Sequence, residues 1–158
     1  VSEFAPDPGL RHRLQRVARR IADQHHTIND CYRVLAEKID HHDERAARNE
    51  FNGYRGALAA HFELEERVFF PAVCCVDASQ AEKIERLVAT HAEMLTELGH
   101  LSDSIASLTT AEFTQRLTGF ATILGAHERQ EEALLHHAKK LLPASQNESK
   151  RSDDRHVG

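Results

Sequence analysis

Apolar residues recur along this chain at alternating steps of three and four, the signature of helices with one buried face. Leu14, Ile21, His25, Ile28, Tyr32, Leu35 and Ile39 form one such stripe. Phe51, Tyr54, Leu58, His61, Glu65 and Val68 form a second, which Pro71 is expected to stop. A third runs Ile84, Val88, His91, Leu95, Leu98, Ile105, and a fourth runs Phe113, Leu117, Phe120, Leu124, His127, Glu131, Leu134, Ala138. Asp77 or Ser79 reads as an N-cap before the third helix, and Thr109 or Thr110, with Glu112 or Phe113 following, before the fourth. The links are short, around 41–43, 72–79 and 108–110. Short links between four long helices force antiparallel neighbours, so the expected fold is all-α, an up-down-up-down four-helix bundle. It should occupy residues 10–142, between a loose N-terminal segment (1–9) and a polar tail (143–158).

Composition narrows the function classes. The chain has 158 residues, 41% of them hydrophobic, enough for one core, with only 7 Gly and 4 Pro, too few for a turn-dense β fold. A net charge of −5 argues against nucleic acid as a partner, and the basic run Arg11, Arg13, Arg16, Arg19, Arg20 reads as a solvated helix face. No apolar run suits a membrane span and no signal-peptide pattern is visible, so a cytoplasmic location with no membrane partner is expected. Cys31, Cys74 and Cys75 lack the spacing of a disulfide framework or a zinc knuckle. The unusual number is 12 histidines, several times an ordinary share, and it points toward metal.

His25, His61, His91 and His127 each fall on the inward stripe of a different helix. Glu65 and Glu131 follow their histidines by one turn on the same stripes. Each His lies nearly as far along the chain from a turn as its neighbour across that turn, so at about 1.5 Å per residue all four share one level. Two inward carboxylates would each cost several kcal/mol if ionised and unpaired. No Lys or Arg stands on the stripes, so two divalent cations, held by neutral imidazoles, are the expected compensation in a metal site within the bundle core. The alternating steps select His25 over His26. The loop residues His41, His42 and Asp43, together with His12, His100, His136, His137 and His156, read as ordinary surface groups, and Glu66, Glu128 and Glu132 as outward charges.

These motifs resemble the hemerythrin-like family of HHE cation-binding domains over about residues 15–142. The resemblance is carried by His25-His26-Thr27-Ile28, by His61-Phe62-Glu63-Leu64-Glu65-Glu66-Arg67-Val68-Phe69-Phe70-Pro71, by His91, and by His127-Glu128-Arg129-Gln130-Glu131-Glu132. It implies a non-haem di-iron centre with His25, His61, His91 and His127 as terminal ligands and Glu65 and Glu131 as bridges. Oxygen-carrying members place a second histidine where this chain has Leu95, and end with His-x-x-x-x-Asp where it has Glu131 at the fourth position. The pattern of four His and two Glu is that of the broader group, whose members include proteins of iron-sulfur repair, iron sensing and peroxide chemistry.

Two imidazoles and two bridging carboxylate oxygens give each metal four bonds. Iron takes five or six, which leaves room for a solvent-derived oxo or hydroxo bridge and an exchangeable position. Iron suits such a site best, with zinc or manganese as lesser candidates. The expected partners are O2, NO or peroxide. Three function classes follow: a binding, sensing or iron-donating module; a peroxide- or NO-consuming di-iron oxidoreductase; and, weakest, a metal-stabilised structural bundle, because structural sites tend to be closed. An apolar pocket is expected on the side of the His layer bounded by Ile28, Leu58, Leu95 and Leu124, with Tyr32, Tyr54 and Phe120 one layer further.

Overall fold

The computed structural model describes residues 8–142; most of the expected loose N-terminal segment and the whole polar tail, with His156, lie outside the described residues. Within them the chain is helical, with no strand. Helix α1 spans Pro8–Asp40, its proline at the first position, where a missing N–H costs nothing. His42, at φ 53, closes it in the left-handed conformation: its N–H bonds to Ile39 O and that of Asp43 to Lys38 O, at 3.0 and 3.1 Å. Asp43 then caps α2 (Glu44–Leu64) by accepting from Ala46 N at 3.0 Å.

Pro71 does not stop the second helix. The rod continues through a π-helical turn, Glu65–Phe69, into α3, Phe70–Val76. Phe70 N–H reaches back five residues to Glu65 O. The widened turn absorbs the bond and the space that a proline denies to an ordinary helix. It also resets the phase. Val68, expected inward, is 42% exposed, while Phe69, Phe70 and Val73 are buried. A short 3-10 turn, Ala78–Gln80, leads into α4, Ala81–Ser104, and its cap is Asp77, which accepts from Ser79 N. Helix α5, Thr110–Leu141, starts on a capping box between Thr109 and Glu112.

On α4 the interior positions are Leu87, His91, Met94, Leu98 and Leu101, with Val88 and Leu95 half-buried. Leu87-Val88 and Met94-Leu95 are adjacent apolar pairs, so periodicity could not decide which member faces inward; packing chose Leu87 and Met94. Paired contacts run in opposite chain order on neighbouring rods. Tyr32 meets Tyr54 while the earlier His25 meets the later His61, and His91 meets His127 while the later Glu97 meets the earlier Arg116.

The core is divided. One apolar cluster gathers Ile28, Leu58, Phe62, Leu98 and Leu124 with their neighbours, and a second gathers Leu14, Phe69, Phe70, Leu87 and Leu134 with theirs. The buried polar side chains among the described residues are His61, Glu65, His91, His127 and Glu131. No described helix is long and apolar enough to cross a membrane.

Candidate metal centre

Each rod delivers its part of this cluster. α1 brings His25, the last turn of α2 brings His61, the first residue of the π turn is Glu65, the middle of α4 brings His91, and α5 brings His127 and Glu131 one turn apart. Their donor atoms form two groups, His25-His61-Glu65-Glu131 and Glu65-His91-His127-Glu131, and within each group the atoms lie within 4.8 Å of one another. Both groups share the two carboxylates. Glu65 turns Oε1 toward His61 Nε2, at 3.2 Å, and Oε2 toward His91 Nε2, at 3.4 Å. Glu131 Oε1 lies 2.7 Å from His127 Nε2 and 3.4 Å from His91 Nε2. The ring nitrogens converge too: His25 Nε2 is 3.2 Å from His61 Nε2, and His91 Nε2 is 2.8 Å from His127 Nε2.

Whether these residues fit a metal is decided by their donor chemistry. His61 Nδ1–H donates to Gln24 Oε1 at 3.2 Å, and His91 Nδ1–H donates to Glu66 Oε1 at 2.8 Å. Fixing the proton on Nδ1 leaves the Nε2 lone pair directed inward, the arrangement that metal-binding histidines adopt. Glu65 Oε1, Glu65 Oε2 and Glu131 Oε2 are buried without a hydrogen-bond partner. Lone pairs facing lone pairs in a buried space repel unless a proton or a cation lies among them, and orphaned carboxylate oxygens are otherwise costly. The set fits divalent metal.

Protonation follows the same logic. Burial, aided by the nearby Glu131 charge, pushes the Glu65 carboxyl up to about 8. Burial and neighbouring His25 push His61 down to about 4, so it is neutral at pH 7. For His91 burial works downward, but Glu131, Glu65 and Glu66 outweigh it and raise it to about 9. For Glu131 burial works upward, and hydrogen bonds from His127 and His91 outweigh it, holding the carboxyl well below its usual range. Without a cation the cluster balances its charge with protons.

Sequence reasoning missed the supporting residues. Glu66, read as an outward charge, is exposed yet accepts the Nδ1 proton of His91 on α4. Gln24 gave no signal. Phe62 stacks on His91 with ring centroids 4.1 Å apart at 11°, and Phe70 stacks on it at 5.8 Å. Glu128, also read as outward, is half-buried, with Oε1 3.7 Å from His25 Nε2. Burial raises its carboxyl, with Glu131 and Glu132 adding to the shift against the opposing effect of His25.

The remaining candidates lie elsewhere. His26, His12, His41, His42, His136 and Glu132 are exposed. His100 is exposed beside Glu97, and His137 Nε2 donates to Asp77 Oδ2 at 2.7 Å, tying α5 to the turn before α4. All three cysteines are free. The expected apolar pocket is instead packed core: Ile28, Leu58 and Leu124 are at most 5% exposed, and Met94 takes the interior place expected of Leu95. A surface cleft of about 230 Å³, floored by Ile39, Ile105 and Phe113, sits at the end of the rods near the 41–43 link.

A family model, the hemerythrin HHE cation-binding domain, matches residues 16–138. No curated protein and no solved structure matches the chain.

Proposed function

The chain belongs to the hemerythrin HHE cation-binding family, and from that premise we propose that it is a non-haem di-iron protein that binds or reacts with small oxidants: O2, NO or peroxide. Its rods make an up-down-up-down antiparallel bundle, a reading supported by contacts that run in opposite chain order on neighbouring rods. His25 and His61 would hold one iron and His91 and His127 the other, with Glu65 and Glu131 serving both donor groups. The observation that carries this reading is the pair of donor groups sharing two buried carboxylates whose oxygens lack hydrogen-bond partners.

An iron pair supplies reversible redox change and exchangeable coordination positions. The chain's own residues supply the rest. The two carboxylates would offset half of the charge of two divalent cations inside an apolar shell. Gln24 and Glu66 fix the tautomers of His61 and His91, and Phe62 and Phe70 keep water from the His91 face. The test is absorbance-monitored titration with azide and NO, followed by repeated additions of peroxide. Saturable azide and NO binding supports the reading; no spectral response to any of the three contradicts it.

A second reading, an iron-sensing or iron-donating module without multiple turnovers, is favoured by one observation: the side chain of His25 is 19% exposed while the other three histidines are at most 3% exposed. Repeated consumption of peroxide or NO would exclude it.

A further inference from the structure

The cluster is closed on nearly every side. Five of its six residues are at most 3% exposed, and His25 alone reaches the surface, with its side chain 19% exposed. The side chain beside it there is Glu128, 22% exposed, whose Oε1 lies 3.7 Å from His25 Nε2, the ring nitrogen turned toward the cluster. Glu132 follows one turn later on the same face of α5 and is exposed. Glu131, 3% exposed, stands at the inner end, with Oε2 buried and unpartnered. Three carboxylates on one stretch of helix thus step from solvent to the cluster interior. Arg129, the cation next in the chain, folds back over Gly125, its guanidinium 3.7 Å from where a Cβ there would lie. It does not turn toward Glu132.

We propose that the metal site is reached from solvent beside His25 and Glu128, and that Glu128 and Glu132 make this approach cation-admitting, drawing Fe2+ inward and slowing small anions. The inference rests on the di-iron reading, but it concerns the rate of access instead of the capacity of the site. A carboxylate at the rim of a low-dielectric opening focuses the field, raises the local concentration of counter-ions and lowers that of like charges. The cluster within gains from this, because Glu65 and Glu131 require cations to be satisfied. Neutral diatomics and hydrogen peroxide feel no such bias.

Two rates test it. Anaerobic uptake of Fe2+ by the metal-free protein should slow about threefold in Glu128→Gln and about tenfold in the double variant with Glu132→Gln at low ionic strength, the lower end of what electrostatic steering delivers. Azide association with the iron-loaded protein should speed up by similar factors. Both differences should shrink at high salt, where rim charges are screened. The exposed Glu85→Gln, on α4, makes the same change in net charge and should leave both rates as in the wild type. The azide measurement needs only loaded protein, and exposed Glu132 can be changed without disturbing packing, so the proposal does not depend on the stability of the metal-free form. Wild-type rates in both variants, or changes that salt does not touch, would overturn it. So would a fall in equilibrium iron content in Glu128→Gln, which would make Glu128 a ligand. Failure of the wild-type protein to take up iron at all would instead overturn the di-iron reading.

Discussion

The two halves of the His/Glu cluster share their carboxylates and differ in almost everything else. At the α4–α5 half, His91 is held by a charged acceptor, Glu66, at 2.8 Å, and is stacked against Phe62 and Phe70. At the α1–α2 half, His61 is held by a neutral amide, Gln24, at 3.2 Å, and His25 stands partly open to solvent beside Glu128. Charge-assisted hydrogen bonds are about twice as strong as neutral ones, and ring stacking fixes an imidazole further. One half is therefore held more firmly than the other. A cluster of four similar histidines acquires direction from the residues behind them.

Removing a shared residue should erase the difference between the halves. Glu65→Ala is expected to lose metal from both, whereas His25→Ala should lose it mainly from the α1–α2 half and keep about one ion per chain. Elemental analysis of the two variants distinguishes the outcomes, and equal losses would mean that Glu65 is not shared. Next in size is Phe62→Ala. Emptying a site that is 1% exposed should cost about 3–5 kcal/mol in chemical denaturation, and the loss should fall on the closed half first. Retention of both metals with unchanged stability would show that the stack is incidental.

A smaller contrast separates the two anchors. Glu66→Ala and Gln24→Ala should each weaken metal affinity within the roughly 10- to 100-fold range of such supporting residues, with Glu66→Ala the more severe. Chelator competition measures both, and a larger effect at Gln24 would invert the comparison. A further contrast is in pH. In metal-free protein Glu65 and His91 have raised values, about 8 and about 9, against ordinary values of 4.5 and 6.5. Each binds its proton more tightly in the folded state, so its contribution is full below the ordinary value and is lost as pH rises through the folded one. His61, lowered to about 4, works the other way, but only below 6.5. The Tm of metal-free protein should fall between about pH 6.5 and 9, and cations that replace those protons should flatten the curve. A Tm that rises over this window would contradict the assignment of buried protons.

Much of this was legible in the sequence, for a physical reason. Five of the six expected site residues are the buried polar side chains of the described core, because His and Glu placed in phase with Leu and Phe on a helix must point where those residues point. Phase was legible only where helices are regular. The π turn at Glu65–Phe69 carried Pro71 through the rod and exchanged Val68 for Phe69, a shift that a fixed 3.6-residue period does not contain. Met94 and Leu95 were indistinguishable because both are apolar. Gln24, Glu66 and Glu128 contact site histidines on other helices, so their roles exist only once the rods are side by side. The expected pocket failed for a related reason: residues that are apolar and face inward fill space as readily as they enclose it.

The most direct test is iron stoichiometry, with an optical spectrum, on protein purified aerobically from iron-replete cells. Two iron ions per chain, with near-ultraviolet absorption of a bridged pair, is the result expected from two donor groups sharing Glu65 and Glu131. Less than one metal per chain, or a single ion retained equally by wild type and Glu65→Ala, would contradict it.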